Sequence, residues 1–340
     1  MRIGVRHEAT GNGRNVQVFG LALCFMLLAP YFTAQAQQAA KIWRIGVLVS
    51  SSAALNASRD EALRLGLREL GYVEGKNISM EYRYAEGKLD RLDELANELV
   101  RLKPDVIIVG GTRVAVAAKK ATNTIPIVVT GAGDLVAAGV VQNLNYPGGN
   151  VTGVSRLSSN FLGTRVELLK QLIPKATRIA VLSNPDNQGY TANVREIELD
   201  ALASGIKLQL LSARGPGDFE SGFRAAVKEN ANALLVMVDA MFSSNRSAIV
   251  QLAAKYHLPA IYDRADFTEA GGLISYGMNL ADLSRRAAWY VDQILKGTDP
   301  GKLPLTEPMK FEFVINLMAA QQIGLTIPPA VLARADRVIK

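Results

Sequence analysis

The chain has 340 residues, 49% of them apolar and 20% charged, with a net charge of +7. That composition excludes disorder for most of the length and provides for a sizeable core, and the length suits roughly two domains at about 100–200 residues each. No block of like charge marks a nucleic-acid or membrane patch, so no nucleic-acid partner is expected.

Residues 1–36 read as a cleavable secretory leader. Arg2, Arg6 and Arg14 make a positive start, Val18 to Pro30 is apolar, and Ala34-Gln35-Ala36 supplies the cleavage site. An uncleaved anchor is the rival reading, but the apolar run is short beside the roughly 20 residues of a membrane span. Cys24 lies inside the run and follows Leu23 rather than a small residue, which argues against lipidation. Beyond residue 36 the chain has no cysteine, hence no disulfide, no thiolate nucleophile and no thiolate metal site. A large exported chain without disulfides suits a bacterial periplasm or cell surface, where its core makes covalent staples unnecessary.

In chain order, strands are expected at Arg44–Val49, Ile78–Tyr84, Asp105–Val109 and Ile125–Thr130, then at Arg178–Leu182, Lys207–Ser212, Ala233–Val238, Pro259–Tyr262 and Gly272–Tyr276. Runs such as Val106-Ile107-Ile108-Val109 suit parallel strands buried on both faces. Between them come helical stripes: Leu63, Leu67 and Leu70; Leu92, Leu95, Leu99 and Leu102; Leu162, Val166, Leu169 and Ile173; Leu280, Leu283, Ala287, Val291 and Ile294. Gly71, Pro104, Pro174 and Gly297 end these helices. Alternation at this spacing predicts a doubly wound parallel sheet in each half.

Arg44-Ile-Gly-Val-Leu48 returns with one change as Arg178-Ile-Ala-Val-Leu182. A chain that restarts its α/β programme builds two similar lobes with a cleft between them. Asn145–Gly153, rich in Pro and Gly, reads as a loop and hinge; Tyr276–Asn279 and the Pro-rich, extended Thr298–Pro308 are further joins. Three joins allow three crossings between lobes. The expected division is 42–150 with about 279–305 for the first lobe, and 154–276 with about 309–340 for the second.

A search for catalytic groups returns little. His257, the one histidine after the leader, follows an apolar helical stretch and reads as a helix-end residue. No zincin, nucleophile-elbow or P-loop motif is present, and no metal-spaced cluster. Asp134 and Asp239 both end strands, but a glycosidase-like pair fits poorly with so few aromatic residues. Gly131-Ala-Gly133 has the wrong spacing, after the wrong strand, for a dinucleotide fingerprint.

Small polar residues instead recur just past the strands. Ligands of open α/β sheets bind outside the carboxyl ends of the strands, where helix N-termini present free amides suited to a carboxylate. Ser51, Gly111, Thr112, Thr130, Gly131 and Asp134 are therefore the first lobe's candidate ligand contacts. Ser155, Asn184, Asp239 and Tyr262 are the second lobe's, with Tyr276 near a crossover. Tyr262 and Tyr276 would supply an aromatic wall, and Asp134 or Asp239 would hold an ammonium group. Helix capping by the same Ser, Asn and Asp residues is the plainer alternative for any one of them.

Several segments carry a family resemblance: Arg44–Leu48, Leu67-Arg-Glu-Leu-Gly-Tyr-Val-Glu-Gly-Lys-Asn77, Gly110-Gly-Thr112 and Pro147-Gly-Gly-Asn-Val-Thr-Gly-Val-Ser155. Arg178–Leu182, Gly271–Gly277, Lys310-Phe-Glu-Phe-Val-Ile-Asn316 and Ile327–Asp336 extend it. In order and spacing these resemble the substrate-binding proteins of ABC importers related to the tryptophan- and tyrosine-binding type, over about residues 42–340. The resemblance implies a type I periplasmic-binding fold: two Rossmann-like lobes, a three-crossover hinge, and a cleft that closes on a small carboxylate-bearing, aromatic amino-acid-like ligand. It also implies delivery to a permease with its ATPase; with the search for catalytic groups nearly empty, no enzymatic activity, no cofactor and a monomeric receptor are expected. The other readings are a ligand-sensing partner of a membrane receptor and an exported α/β hydrolase.

Overall fold

The computed structural model describes residues 41–155, 161–187, 190–307 and 310–340. The leader expectation therefore lies outside the described residues. Residues 42–340 form one compact unit.

Its first half runs β1 (Trp43–Val49), α1 (Ala53–Glu69), β2 (Ile78–Tyr84), α2 (Leu92–Arg101), β3 (Val106–Val109), α3 (Thr112–Ala121), β4 (Ile127–Ala132) and β5 (Val151–Ser155). These five strands make a parallel sheet in the order β2-β1-β3-β4-β5. The second half runs α4 (Phe161–Leu172), β6 (Arg178–Ser183), α5 (Tyr190–Ala203), β7 (Lys207–Ser212), α6 (Phe219–Lys228), β8 (Ala233–Val236), α7 (Ala240–Ser244), α8 (Arg246–Lys255), β9 (Ala260–Tyr262), α9 (Ala265–Glu269) and β10 (Ile274–Met278). After α10 (Leu280–Leu295) come β11 (Phe311–Asn316), α11 (Leu317–Gln322), α12 (Pro329–Leu332) and β12 (Arg337–Ile339). The second sheet is ordered β12-β11-β10-β9-β8-β6-β7, and β11 runs antiparallel to β10.

Read from its other edge, the second sheet begins β7-β6-β8-β9-β10, the order of β2-β1-β3-β4-β5 in the first. The repeated pentapeptides lie in β1 and β6, each of which has its sheet's second strand on one side and its third on the other. The order in which successive strands join the sheet reverses at these positions, and such switch points open a crevice at the carboxyl ends of the strands. Two α/β lobes of this kind are the expected fold class.

The helical stripes pack as their spacing requires. Leu63 and Leu67 are buried, as are Leu92, Leu95 and Leu99, and Leu283, Ala287 and Val291. Burying each such leucine contributes about 1.5–3 kcal/mol. Leu70 departs from the expectation: it is the C-cap of α1 and is exposed. Helix α10 lies against α1, close enough that a β-carbon at Gly66 would stand 2.8 Å from the Arg285 carbonyl oxygen. No helix among the described residues is long and apolar enough to cross a membrane.

The expected hinge loop Asn145–Gly153 is corrected at its end. Val151–Ser155 is a strand, paired with β4, so Val154 and Ser155 belong to the first sheet rather than opening the second lobe. Gly153 hides it from a sequence reading. Its φ is +127°, and a β-carbon there would lie 2.3 Å from the Val129 carbonyl oxygen, so glycine is what lets β5 approach β4. The chain passes to the second sheet after β5, returns after β10 through α10, and leaves again beside β5. There Ser155 N–H donates to Thr306 O and Thr306 N–H to Gly153 O, both at 3.0 Å. Pro300–Lys302 forms a short 3-10 turn before the extended stretch.

Candidate functional site

The carboxyl ends of the two sheets meet. In the turn after β2, a β-carbon at Gly87 would lie 3.2 Å from Cβ of Ser244 in α7. From α1, Arg59 Nη2 reaches Asp266 Oδ2 of α9 at 3.3 Å. The loops that face each other across this junction are those that follow the strands.

On the first lobe, Ser51 precedes Ser52, whose hydroxyl caps α1 by accepting from Leu55 N–H. Gly111 has φ +91° at the N-terminus of α3, with open space where a side chain would stand. Thr112 Oγ1 accepts from Gly133 N–H at 2.9 Å, and Thr130 Oγ1 donates to Val109 O at 3.2 Å. Gly131 has φ +72°, and a β-carbon there would strike Leu283 at 2.6 Å. The Asp134 carboxylate caps its own turn, accepting from Val136 and Ala137 N–H at 2.9 Å each. Ser155 is buried and donates to Gly133 O at 2.8 Å, which places this second-lobe candidate on the first lobe. Thr112, Gly133 and Ser155 thereby tie the ends of β3, β4 and β5 together.

On the second lobe, Asn184 donates to Asp239 Oδ2 at 3.2 Å and Asn187 to the same oxygen at 2.8 Å. Asp239 Oδ1 accepts from Met241 N–H and caps α7. Tyr262 is corrected: it is fully buried, its ring stacked on Phe267 with centroids 4.8 Å apart among core residues, so it presents no wall to the cleft. Tyr276 is half-buried and belongs to an aromatic group that joins the crossing segments. Its ring lies 6.2 Å from Phe311, which stacks at 4.4 Å on Phe161. His257 has φ +49° just past α8, a helix-end position.

Sequence reasoning missed a polar group on α1. Asn56 Nδ2 donates to Asp60 Oδ1 at 2.7 Å, Tyr84 Oη donates to Asp60 Oδ2 at 2.8 Å, and Arg59 Nη1 donates to Asn56 Oδ1 at 3.2 Å. Burial raises the Asp60 carboxyl above its ordinary range, against the two hydrogen bonds that favour its ionised form. The sign was present: Asn56 and Asp60 continue the Leu63/Leu67 stripe one and two turns toward the strand ends. Arg264 and Asp266 were also missed, and nothing local announces a partner 207 residues from Arg59.

These strand ends offer backbone amides, hydroxyls and fixed carboxylates, the equipment for holding a small polar solute. Among the described residues no group of three His, Cys, Asp or Glu side chains is placed to hold a metal ion.

A family model described as ABC transporter substrate binding protein matches residues 44–339. A tyrosine-binding protein of Clostridioides difficile is 28% identical over 250 residues, 74% of this chain and 72% of that protein. The crystal structure of an ABC domain in complex with L-Trp from Streptococcus pneumoniae is 26% identical, covers 88% of this chain and all of that one, and superposes with a TM-score of 0.80. A substrate binding protein with adhesive properties from Clostridium difficile, solved ligand-free and open, is 25% identical over 88% of this chain and 99% of that one, with a TM-score of 0.67. At equal coverage and nearly equal identity, this chain is closer in form to the tryptophan complex than to the open protein. The chain belongs to the ABC transporter substrate-binding proteins, and is a binding protein rather than an enzyme.

Proposed function

We propose that this chain is the extracytoplasmic receptor of an ABC importer, exported by a leader at residues 1–36, and that it captures a small carboxylate-bearing, aromatic amino-acid-like solute between its lobes. One observation carries the reading: two sheets of matching strand order bring the carboxyl ends of their strands together. The similarity to a tyrosine-binding protein and to a complex with L-Trp supports the ligand class. The proposed lobes are 42–155 with about 279–305, and 161–278 with about 310–340.

In this reading the ligand carboxylate meets the amides and hydroxyls at Ser51, Gly111 and Thr112, where α1 and α3 begin and their dipoles favour negative charge. Thr130, Gly131 and Ser155 shape the adjoining floor. Asp134, exposed at the lobe edge, or Asp239 across the cleft holds the ammonium group, with Asn184 fixing Asp239 in place. Tyr276, with Phe311 and Phe161, forms the aromatic wall. Closure over the ligand is a hinge motion about the three crossing segments. The receptor acts as a monomer that delivers its ligand to a permease driven by an ATPase.

Native mass spectrometry of freshly purified protein, followed by a thermal-shift screen of aromatic amino acids and aromatic acids, tests this. A ligand at 100 times its Kd stabilises a folded protein by about 2.7 kcal/mol. No co-purified small molecule and no shift with any member of the panel would sink the ligand class.

A further inference from the structure

The contact between the lobes centres on one carboxylate. Asp266, at the start of α9, receives Arg264 Nε at 3.1 Å and a second bond from the same guanidinium. It also receives Arg59 Nη2 from the first lobe at 3.3 Å. The side chains of Arg59 and Asp266 are only 19% and 16% exposed, so the pair is far less screened than a surface ion pair. Arg264 and Arg246 act on Arg59 as like charges, Asp266 and Asp60 as opposite ones. Burial first, then the Arg264 charge, bring the Arg59 guanidinium down to about 9. Without Asp266, Arg59 would face two arginines across a desolvated junction, and parting the lobes would relieve that repulsion.

Arg264 is within Asp266's own lobe and holds it whether the lobes are together or apart. Arg59 crosses from the other lobe, so its bond to Asp266 exists only when the lobes meet. The bond is made in this structure, where α1 of the first lobe meets α9 of the second.

We propose that Asp266 is an interlobe latch: aimed by Arg264, it takes Arg59 as the lobes come together and sets the balance between closed and open forms. The proposal rests on the reading that the protein captures its ligand by closure. Asp266 and Arg59 act on ligand affinity through that balance, without touching ligand, and so are positioning residues. A binding-competent state populated to a smaller fraction lowers apparent affinity by that fraction.

The test is a spin-label distance measurement between lobes in the full chain. Labels at Glu94→Cys and Lys228→Cys, both exposed, in a Cys24→Ser background report on lobe separation without any ligand. Asp266→Asn and Arg59→Gln should each move population toward longer distances, and the double variant should go no further than the larger single effect. L-tryptophan and L-tyrosine are the ligand probes, and their affinity should fall by roughly tenfold in each variant. Distances unchanged in both single variants would overturn the latch, and so would affinity loss at unchanged distances. Longer distances in the variants, with neither amino acid bound by the parent chain, would support the latch while removing the ligand class proposed above.

Discussion

The two lobes share a strand order but equip their strand ends differently. On the first lobe, Thr112, Thr130 and Ser155 bond to backbone groups of neighbouring strand ends, Asp134 bonds to its own turn, and Gly111 leaves the N-terminus of α3 uncovered. On the second, Asn184, Asn187 and Asp239 bond to one another, and Arg264 to Asp266. The first lobe thus presents backbone donors on a braced frame, and the second a cross-linked set of side chains. The two lobes match in the position of their polar loops and differ in the chemistry of those loops.

Backbone packing gives the largest expected effect. A β-carbon at Gly277 would lie 1.7 Å from the Asp263 carbonyl oxygen, a backbone atom that cannot swing aside. Gly277→Ala should cost about 3 kcal/mol or more, or abolish soluble folding, because β10 would have to part from the loop after β9. The first-lobe counterpart is Gly153→Ala, with its 2.3 Å approach to Val129 O and a positive φ. Urea denaturation of each variant checks both. A loss below 1 kcal/mol at Gly277 would mean that this junction is looser than its geometry.

Next comes the cross-linked network itself. Asp239→Ala removes the shared acceptor of Asn184 and Asn187, and the cap of α7. Hydrogen bonds to a charged group contribute about 1.5–3 kcal/mol and a cap about 1, so a loss of about 2–3 kcal/mol is expected. Asp134→Ala on the first lobe removes only an exposed cap and should cost about 1 kcal/mol or less. Equal losses by chemical denaturation would erase the contrast between the lobes.

That contrast was only partly legible in the sequence. Periodicity placed most strands and the buried stripes, because apolar burial leaves its period in the chain. The first residues of β5 read as hinge, since Pro147, Gly148, Gly149 and Gly153 look like a loop when the approach to Val129 is unseen. Tyr262 ends a strand and its position suggests a cleft residue, yet its ring turns onto Phe267 and into the core. The strand ends located the site's loops. Which groups pair across the lobes, as Arg59 and Asp266 do, depends on tertiary approach and leaves no local pattern.

A smaller effect is expected at the first lobe's brace. Thr112→Val keeps the shape of the side chain but removes the oxygen that accepts from Gly133 N–H. The loss should be about 1 kcal/mol, near the mean for one neutral hydrogen bond. Amide hydrogen exchange at Gly133 should quicken while core strands stay protected. Unchanged exchange there would show that β3 and β4 hold the loop without Thr112.

The finest distinction between the lobes is the sign of their response to pH. At Asp60 burial dominates and raises the carboxyl, despite Tyr84 and Asn56. The folded state then keeps that proton to higher pH than the unfolded chain, which releases it near about 3.9. Its contribution is fully present below that value and is lost as pH rises through the raised one. At Asp266 burial also pushes upward, but the charge and hydrogen bond of Arg264, helped by Arg59 and Arg246, outweigh it and lower the carboxyl. Its contribution is present above the unfolded value and is lost as pH falls through the lowered one. Urea midpoints measured from about pH 2 to about pH 7 should therefore diverge between two variants. Asp60→Asn should remove a decline on the alkaline side, and Asp266→Asn a decline on the acid side. If both substitutions changed the profile on the same side, the two lobes would be handling their buried carboxyls alike, and desolvation rather than Arg264 would govern Asp266.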